Sequence, residues 1–449
     1  MKKSVPIACF LVLASGGPGF FSTPAHAGER GAHVHKMSAA PDQSWEESFK
    51  DIWNRDKLTG NWGRDLHDHG LDVGLRLSQY YQNVASGGVN ENGEYGGTMD
   101  YRVNLDGKKV FGLWEGLSFN LHARTRFGKD VNADAGPFVL QNTGMLSPLP
   151  GDYHGTDITG LIASQYFPFF YDRLALVTLG QVSLLDTLTM FWPNLGFGQE
   201  GFWNINSTIS ALPWFGAARG LSLYGGYATT INQTYQGPET GFVVLGTENE
   251  STSWGSLGNA FEEVWLAAFQ RLYWDLDDKM GYFMVFGGYS TKGQPSNDPN
   301  DIVVIPGQNL VNTKEKKPWD IALYLYQDFW QAEGNPDRKA TLLIGGTVGP
   351  DNPQFAQYNL FANVEFFGVM ASRPHDRMGV AWWKNWLSDD FKDLVSPVVD
   401  LQNLWGVELY YNIALNKWLH LTPDLQLVEN ARKRNDLAVI SGVRLVMDF

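Results

Sequence analysis

The sequence is poor in cysteine and in positive charge. Its single cysteine, Cys9, lies within residues 1–27, where Lys2 and Lys3, an apolar run and Ala25-His26-Ala27 are typical of a secretory signal peptide. Cleavage would leave no thiol, which excludes disulfides, thiol chemistry and cysteine-bound metals from the mature chain. The formal net charge is -14, and it becomes -16 once two lysines and no acids are removed, so binding to nucleic acid is not expected.

Long hydrophobic runs are also missing. After the signal peptide no stretch of about 18 apolar residues occurs, which excludes a transmembrane helix. A chain of this kind that is integral to a membrane must form a closed barrel, because open sheet edges cannot satisfy their backbone hydrogen bonds in lipid. No linker or change of composition divides the sequence into separate globular domains.

Motifs for catalysis, metals and cofactors are weak or absent. Residues 196–201 fit G-x-G-x-x-G, but a strand-like stretch follows instead of the helix that a nucleotide site needs. His33 and His35, and likewise His67 and His69, lack an identifiable third metal ligand. No G-x-S-x-G, H-E-x-x-H or P-loop pattern occurs, so no metal and no cofactor is expected.

Polar and apolar residues alternate over the last fifty residues. The segments 407–415, 419–427 and 439–449 place apolar side chains at nearly every second position, and a period of two predicts β-strands. The opposite face carries Glu, Asp, Arg and His, which a dry core would reject, so we expect that face to be wet. Strands that are apolar outside and polar inside are typical of outer-membrane β-barrels. We therefore predict a membrane pore, and we expect Phe449 in the barrel-closing strand to engage the barrel-assembly machinery.

The gaps between the candidate strands alternate in length. Sixteen strands are predicted, at residues 72–83, 99–107, 116–127, 157–167, 173–183, 200–211, 219–230, 261–273, 281–291, 318–330, 339–348, 356–368, 377–386, 402–415, 418–428 and 436–449. Mostly long gaps after odd strands and short gaps after even strands indicate an all-β, antiparallel up-and-down transmembrane barrel with external loops and periplasmic turns. An even count places both termini in the periplasm, and about sixteen strands leave an aqueous lumen.

Three regions are predicted along the chain. Residues 1–27 form the signal peptide, 28–70 an N-terminal periplasmic segment, and 71–449 the transmembrane β-barrel. In the second region Ser44 and Glu47 form a capping box. A short amphipathic helix then carries Trp45, Phe49, Ile52 and Trp53 on one face.

Aromatic residues cluster beside the predicted short turns. Trp and Tyr favour the membrane interface, where the ring is buried and the polar tip stays wet. The residues concerned are Trp114, Phe169, Phe170, Tyr171, Trp214, Phe215, Tyr273, Trp274 and Trp418. As a set they predict an aromatic girdle, with outer-membrane lipid as the surrounding partner.

Several segments resemble the carbohydrate-selective porins of the OprB type. In chain order they are Leu58-Thr59-Gly60-Asn61-Trp62-Gly63 with Arg64, Asp100–Asp106, Leu179–Gln181 with Asp186, Phe202–Asn204, and Gly406–Asn412 with Trp418, Pro423, Asp424 and Gln426. The resemblance covers about residues 45 to 449, and the C-terminal block is its most specific part. It implies a sixteen-stranded channel for the diffusion of mono- and disaccharides.

The alternation also predicts which residues line the pore. It turns five arginines inward, on the first three strands and the last: Arg76, Arg102, Arg124, Arg126 and Arg444. Barrel closure pairs the last strand with the first, so these arginines would share one patch of wall near mid-barrel. Guanidinium groups donate paired hydrogen bonds that suit the vicinal hydroxyls of sugars. Lumen aromatics would stack on the C–H faces of sugars, with Tyr80, Tyr324, Tyr326 and Tyr410 as candidates.

An alternative role for the same arginines remains open. They would pair with inner-face carboxylates and only satisfy the wall, the candidate partners being Glu408, Asp424, Asp106 and Glu365. The two roles are compatible, because a neutralised lattice still offers donors to a sugar. We include Glu408, Asp424 and Tyr410 with the arginines in the predicted pore lining.

The sequence thus predicts a passive pore for small sugars such as glucose, and not an enzyme. One alternative is a general channel or a channel for another substrate. A barrel-type hydrolase would need a Ser/His/Asp set, for which His154 with Asp152 and Asp157 is the nearest approximation. A soluble secreted lectin or glycosidase is disfavoured by the apolar outer faces.

Overall fold

The computed structural model describes residues 66–136, 138, 141–145, 155–169, 173–183, 199–209, 222–232, 237–247, 260–304, 310–312 and 314–449. The predicted signal peptide, the predicted helix after Ser44 and the segment 58–63 lie outside these residues. The described part forms a closed antiparallel barrel of sixteen strands, which confirms the predicted fold class. Its helices are all too short and too polar to cross a membrane.

The barrel strands pair in chain order, and the last closes on the first. They are β1 (Leu71–Ser86), β2 (Gly93–Asp106), β3 (Leu117–Gly128), β4 (Gly155–Phe169), β5 (Arg173–Ser183), β6 (Ser222–Asn232), β7 (Gly237–Gly246), β8 (Val264–Leu276), β9 (Lys279–Ser290), β10 (Trp319–Ala332), β11 (Asn335–Val348), β12 (Ala356–Phe367), β13 (Arg377–Leu387), β14 (Leu404–Ala414), β15 (Leu419–Val428) and β16 (Ala438–Asp448). At the seam β1 and β16 run antiparallel, with Leu77 opposite Met447. Closure leaves the barrel without an unpaired edge.

Short turns and longer connections mostly alternate around the barrel, as predicted. The β1–β2 connection (residues 87–92) and the β11–β12 connection (residues 349–355) are exceptions, since each is shorter than the turn that follows it. Asp277 and Asp278 join β8 to β9 with φ values of 52° and 58°, the left-handed conformation of a tight hairpin turn. The β2–β3 turn contains helix α1 (Gly107–Phe111), whose first amides are capped by Asp106. The longer connections hold α2 (Asn132–Ala135), α3 (Asp389–Val395), 3-10 turns at Thr143–Met145, Ile205–Ser207 and Pro299–Asp301, and two small ladders that pair Gln294–Pro295 with Glu315–Lys316 and Ile302–Val304 with Leu310–Asn312.

One predicted strand is not a strand. Residues 200–209 instead form an irregular segment that includes the 3-10 turn Ile205–Ser207. All of these residues except Glu200 are buried. Their apolar side chains therefore reflect burial on every side rather than one face of a sheet, which is why the pattern was misleading.

One strand of the structure was not predicted. Since one predicted strand is absent and one unpredicted strand is present, the total remains sixteen. β7 lies within the stretch 231–260 that the sequence analysis treated as a loop. Its glycines, proline and glutamate obscure the alternation, in which Phe242 and Val244 face outward while Val243 and Leu245 are buried inside.

The outer face of the barrel is apolar along its strands. On β10, Ile321, Leu323 and Leu325 are exposed, whereas the intervening Ala322 and Tyr324 are buried. Exposed aromatics also occur near the short turns, namely Phe111, Trp114, Phe329 and Trp330. Trp114 was expected in such a girdle, but Trp418 is buried instead, and Phe170, Tyr171, Trp214 and Phe215 lie outside the described residues.

Candidate functional site

Residues 199–209, here called the luminal segment, project into the barrel from the long β5–β6 connection. Glu408 on β14 anchors them: its carboxylate accepts hydrogen bonds from the backbone amides of Trp203 and Asn204 and from the Ser207 hydroxyl. Three donors thus converge on one buried carboxylate, which was expected to line the pore. Charge-assisted hydrogen bonds of this kind are about twice as strong as neutral ones, so Glu408 is a principal anchor of the segment.

Three other strands hold the remainder of the luminal segment. Asn363 on β12 donates to one of its backbone carbonyls at 2.7 Å, and Asn385 on β13 donates to one of its asparagine side chains at 3.2 Å. Arg444 on β16 donates to the carbonyl of Gly201 at 3.0 Å. The segment is therefore fixed across a broad arc of the inner wall.

The strand register places acidic and basic residues in one row across five strands. Asp448 lies opposite Arg76, which lies opposite Asp100. Asp100 in turn lies opposite Arg124, which lies opposite Asp157. Directly opposed residues of an antiparallel pair share a face of the sheet. We call these five residues the charge row, and it follows the inner wall from β16 to β4.

Hydrogen bonds connect neighbours within the charge row. Arg76 binds both oxygens of the Asp448 carboxylate, at 2.6 and 2.9 Å. Arg124 Nε donates to Asp100 at 2.7 Å, and both of these side chains are buried. The arginine charges are thus balanced by adjacent carboxylates along the wall.

Two side chains of the luminal segment join the charge row. Glu200 pairs with Arg76, and Gln199 Nε2 donates to Asp100 at 2.7 Å. Glu200 was not predicted to line the pore, because it was assigned to a strand. Asp448 was not predicted to line the pore either, although it shares the inward face of the last strand with Arg444.

The other predicted arginines lie beside the charge row rather than within it. Arg102 is half-buried and follows Asp100 on the same face of β2. Arg126 pairs with Asp130 at 2.5 Å, beyond the end of β3. Arg444 lies over the ring of Trp203, 5.0 Å from its centroid. The structure therefore brings the five arginines onto adjoining strands, but only Arg76 and Arg124 share the row.

Tyr410 and Asp424 occupy the neighbouring strands β14 and β15. The Tyr410 hydroxyl donates to Glu365 at 2.5 Å and accepts from Arg377 Nε at 2.7 Å. Asp424 accepts from Gln426 at 2.8 Å. Tyr410 and Asp424 face each other in the strand register, so both belong to the inner wall next to the Glu408 anchor.

The expected pairing of arginines with carboxylates occurs, but with other partners. Glu365 binds Arg377 at 2.6 Å, a residue that was not singled out. Asp106 caps helix α1, with bonds of 2.9 Å from two backbone amides. Glu408 binds the luminal segment. Pairing across strands depends on register and loop position, neither of which local alternation specifies.

The tyrosines expected to stack on sugars are covered by other rings. Ring centroids lie 5.6 Å apart for Tyr80 and Trp203, 6.0 Å for Tyr324 and Phe361, 5.0 Å for Tyr326 and Tyr282, and 4.8 Å for Tyr410 and Phe202. All four tyrosines are buried. In this conformation their role is to pack the inner wall.

Part of the inner wall is apolar, which the sequence analysis did not anticipate. Four large buried side chains on β8 and β9, here called the apolar wall, are Trp265, Phe269, Met284 and Phe286. They belong to one hydrophobic cluster that also contains Ile205 and Ile209 of the luminal segment. Charged side chains are buried nearby, because Arg271 on β8 pairs with Glu239 on β7 at 3.2 Å, so the apolar wall is a patch of the inner wall and not a whole side of the lumen.

A metal site and a hydrolase set were two further candidates from the sequence. Over the described ranges no group of three His, Cys, Asp or Glu residues is arranged to hold a metal ion. His67 contacts Asp72 at 2.6 Å, while His154 and Asp152 lie outside those ranges. Asp157 belongs to the charge row.

The fold resembles that of solved porins. The high-pH structure of Pseudomonas putida OprB superposes with a TM-score of 0.71 at 18% identity, covering 88% of this chain and 99% of that one. The low-pH structure of the same protein gives 0.55 at 14% identity, with the same coverages. At these identities the likeness shows the fold alone. A search of curated protein sequences finds no match.

The sequence profile of the carbohydrate-selective porin family, OprB type, matches residues 90–449. This span includes fifteen of the sixteen barrel strands, the luminal segment and most of the charge row. The chain therefore belongs to the OprB family of carbohydrate-selective porins, and it is an outer-membrane β-barrel channel, not an enzyme.

Proposed function

We propose that this porin passes small sugars, both mono- and disaccharides such as glucose, by passive diffusion through a water-filled lumen. The charge row is the observation that carries the proposal. It places two arginines between three carboxylates on one wall, directly against the luminal segment. A solute that passes the segment on this side meets donors and acceptors in turn.

Interleaved charges favour a neutral polyhydroxyl solute over an ion. A sugar hydroxyl both donates and accepts, so it binds the arginine N–H groups and the carboxylate oxygens of the row equally well. An ion of either sign meets a like charge next to each opposite one. The arginine fork also matches two neighbouring hydroxyls. Several weak contacts in series are suited to conduction, because a single tight site would retain the solute.

The predicted pore-lining residues divide into two groups under this proposal. Arg76 and Arg102, which are half-buried, contact the passing solute, and the buried Arg124 positions the charge row through its bond to Asp100. Glu408, Tyr410, Arg126 and Arg444 shape the wall and the luminal segment, and Asp424 lies on the wall beside them. The contacts of Glu408 and Arg444 with that segment support the division. The exposed apolar positions of the strands are in turn proposed to contact outer-membrane lipid.

Liposome swelling tests the proposed function most directly. Proteoliposomes are challenged with glucose, maltose, longer maltooligosaccharides and amino acids of matched size. We expect fast swelling with glucose and maltose, slower swelling with longer oligomers, and slow swelling with charged amino acids. Equal rates for sugars and amino acids of similar size would show a general channel instead.

Two conservative substitutions test the role of the arginines. Arg102→Lys and Arg124→Lys keep the charge but remove the planar fork. Because a hydrogen bond to a charged group contributes about 1.5–3 kcal/mol, we expect roughly tenfold weaker sugar affinity in single-channel current blockade. Unchanged affinity in both variants would restrict these arginines to a structural role in the wall.

A further inference from the structure

Trp203 of the luminal segment occupies a niche in the inner wall between β1 and β16. Its ring lies against Gly442, where an added Cβ would come within 2.8 Å of the indole. The Arg444 guanidinium lies 5.0 Å from the ring centroid, and Tyr80 meets the ring edge-on. Only glycine at position 442 leaves room for this ring, so the wall is shaped to receive it.

A second inward segment closes over this niche. Residues 141–145, from the long β3–β4 connection, dock through the backbone amide of Thr143, which donates to the Trp203 carbonyl at 2.7 Å. Asn142 donates to Gln82 on β1 at 3.0 Å. Gln426 on β15 donates to the Gln141 carbonyl at 3.0 Å. The two inward segments and the wall thus enclose a group of buried polar side chains, here called the compartment.

Seven buried polar atoms of the compartment have no hydrogen-bond partner among the described residues. Over the part of the chain that the structure describes, these buried atoms are Gln141 Nε2 and Oε1, Asn142 Oδ1, Thr143 Oγ1, Gln199 Oε1, Trp203 Nε1 and Asp424 Oδ2. Their residues are otherwise well connected, and Gln199 and Trp203 in particular are anchored to the wall. Most buried polar groups in proteins are paired, so a concentration of orphaned ones indicates a site that a polar guest completes.

We propose that this compartment, formed by Gln141, Asn142, Thr143, Gln199, Trp203 and Asp424, is a sugar-binding subsite beside the charge row. The inference rests on the proposed function and specifies where in the lumen the solute is held. The orphaned set combines two N–H donors with several oxygen acceptors, and it includes one carboxylate oxygen. This mixture suits the hydroxyls of an uncharged sugar, each of which donates and accepts.

Segment 141–145 acts as the cover of the subsite. The orphaned atoms are shielded from water while the cover is docked on Trp203. When the cover moves off Trp203, a hydroxylated guest that enters between the cover and the wall gains hydrogen bonds to atoms of both, whereas an apolar guest of equal size gains none. Each unpaired buried group disfavours the closed state, and this provides a driving force for opening when a sugar is present.

The test is single-channel current blockade titrated with glucose and maltose, using the full-length porin in planar bilayers. Trp203→Phe removes the indole N–H and keeps an aromatic ring on Gly442. Gln141→Leu removes both amide atoms at nearly constant size. We expect each variant to bind sugar about 3- to 10-fold more weakly. Trp114→Phe is the matched control, because Trp114 is exposed at the β2–β3 turn, and its affinity should equal that of the parent.

The outcomes separate this inference from the function on which it rests. If the parent shows sugar blockade and both variants retain its affinity, the subsite is overturned while the sugar channel stands. Higher conductance with unchanged sugar affinity would also overturn it, because the cover would then only narrow the pore. If the parent shows neither sugar blockade nor sugar flux, the proposed function itself fails. Circular dichroism of each variant verifies the folded barrel, and either variant suffices if the other does not fold.

Discussion

Two patches of the barrel interior differ in chemistry although the outer faces of their strands are alike. On the polar wall, formed by the inner faces of β15, β16 and β1–β3, buried positions hold Asp100, Arg124 and Arg444. On the apolar wall, the corresponding positions hold Trp265 and Phe286. The polar wall binds the luminal segment through hydrogen bonds, and the apolar wall belongs to the same hydrophobic cluster as Ile205 and Ile209 of that segment.

Because of this difference, the two walls have different roles in the lumen. Ile205 and Ile209 are buried in the same hydrophobic cluster as the apolar wall, and this cluster supports the luminal segment inside the barrel. The polar wall keeps charged groups next to the solute path, where each is held by a partner. A lumen that was polar all round would not fix the segment, and one that was apolar all round would not conduct sugars.

The largest expected effect tests the apolar wall as a structural support. Phe286→Ala removes a buried ring that stacks on Trp265, with centroids 6.0 Å apart. Truncation of a buried Phe destabilises proteins by about 3–5 kcal/mol. We expect a loss of this size in urea unfolding of the detergent-solubilised barrel, with no change in sugar blockade affinity.

Val285→Ala is the matched control, because the neighbouring Val285 faces outward. It should change the free energy of unfolding far less. A loss of sugar affinity in Phe286→Ala comparable to that of the arginine variants would place the apolar wall on the solute path and remove the distinction between the walls.

A smaller effect is expected at the anchor between the walls. Glu408→Gln preserves shape, but the amide accepts less strongly and leaves at least one of the three donors of the luminal segment poorly paired. The expected cost is about 1–3 kcal/mol, together with larger current fluctuations as the segment loosens. Glu333→Gln in the exposed β10–β11 turn is the control. If the current fluctuations of Glu408→Gln are as small as those of the parent, hydrophobic packing alone holds the luminal segment.

The smallest effect concerns the turn between β12 and β13, which belongs to neither wall. Asp376 accepts from Arg373 at 2.9 Å, from the Tyr411 hydroxyl at 2.5 Å and from the Ala414 amide at 3.0 Å. Burial alone would raise the pKa of Asp376, but these three donors outweigh it and lower the pKa below its ordinary value of 3.8. We expect Asp376→Asn to lower the free energy of unfolding by about 1 kcal/mol at neutral pH.

The difference in unfolding free energy between the parent and Asp376→Asn should depend on pH in one direction only. Because the pKa of Asp376 is lower in the folded state than in the unfolded state, its ionised form stabilises the folded protein. This stabilisation is complete when the pH is above the ordinary pKa, and it is lost as the pH falls through the folded-state pKa. The gap between parent and Asp376→Asn should therefore be constant from pH 7 to about pH 5 and shrink below about pH 4. Asp337→Asn, at an exposed position of β11, should show no such gap. A gap that widened on acidification would contradict the assigned bonds.

Local alternation was sufficient to predict the barrel. Side chains such as Ile321, Leu323 and Leu325 repeat with period two, and this pattern requires no knowledge of distant residues. The same alternation predicted that Arg76, Arg124 and Arg444 face inward. Barrel closure predicted that their strands are close neighbours. The alternation failed at residues 200–209 because burial on all sides resembles the apolar content of a strand.

The sequence by itself determined fifteen of the sixteen strands, their outward faces and the presence of inward arginines, because these follow from a repeat of two residues and from the need to pair every edge. Only the tertiary structure decided which charges meet. Arg76 and Asp448 are 372 residues apart in the chain, and Trp203 reaches Glu408 only because the luminal segment folds into the barrel. Such contacts depend on register, closure and loop path, which are set by the whole assembly of strands and not by any local stretch.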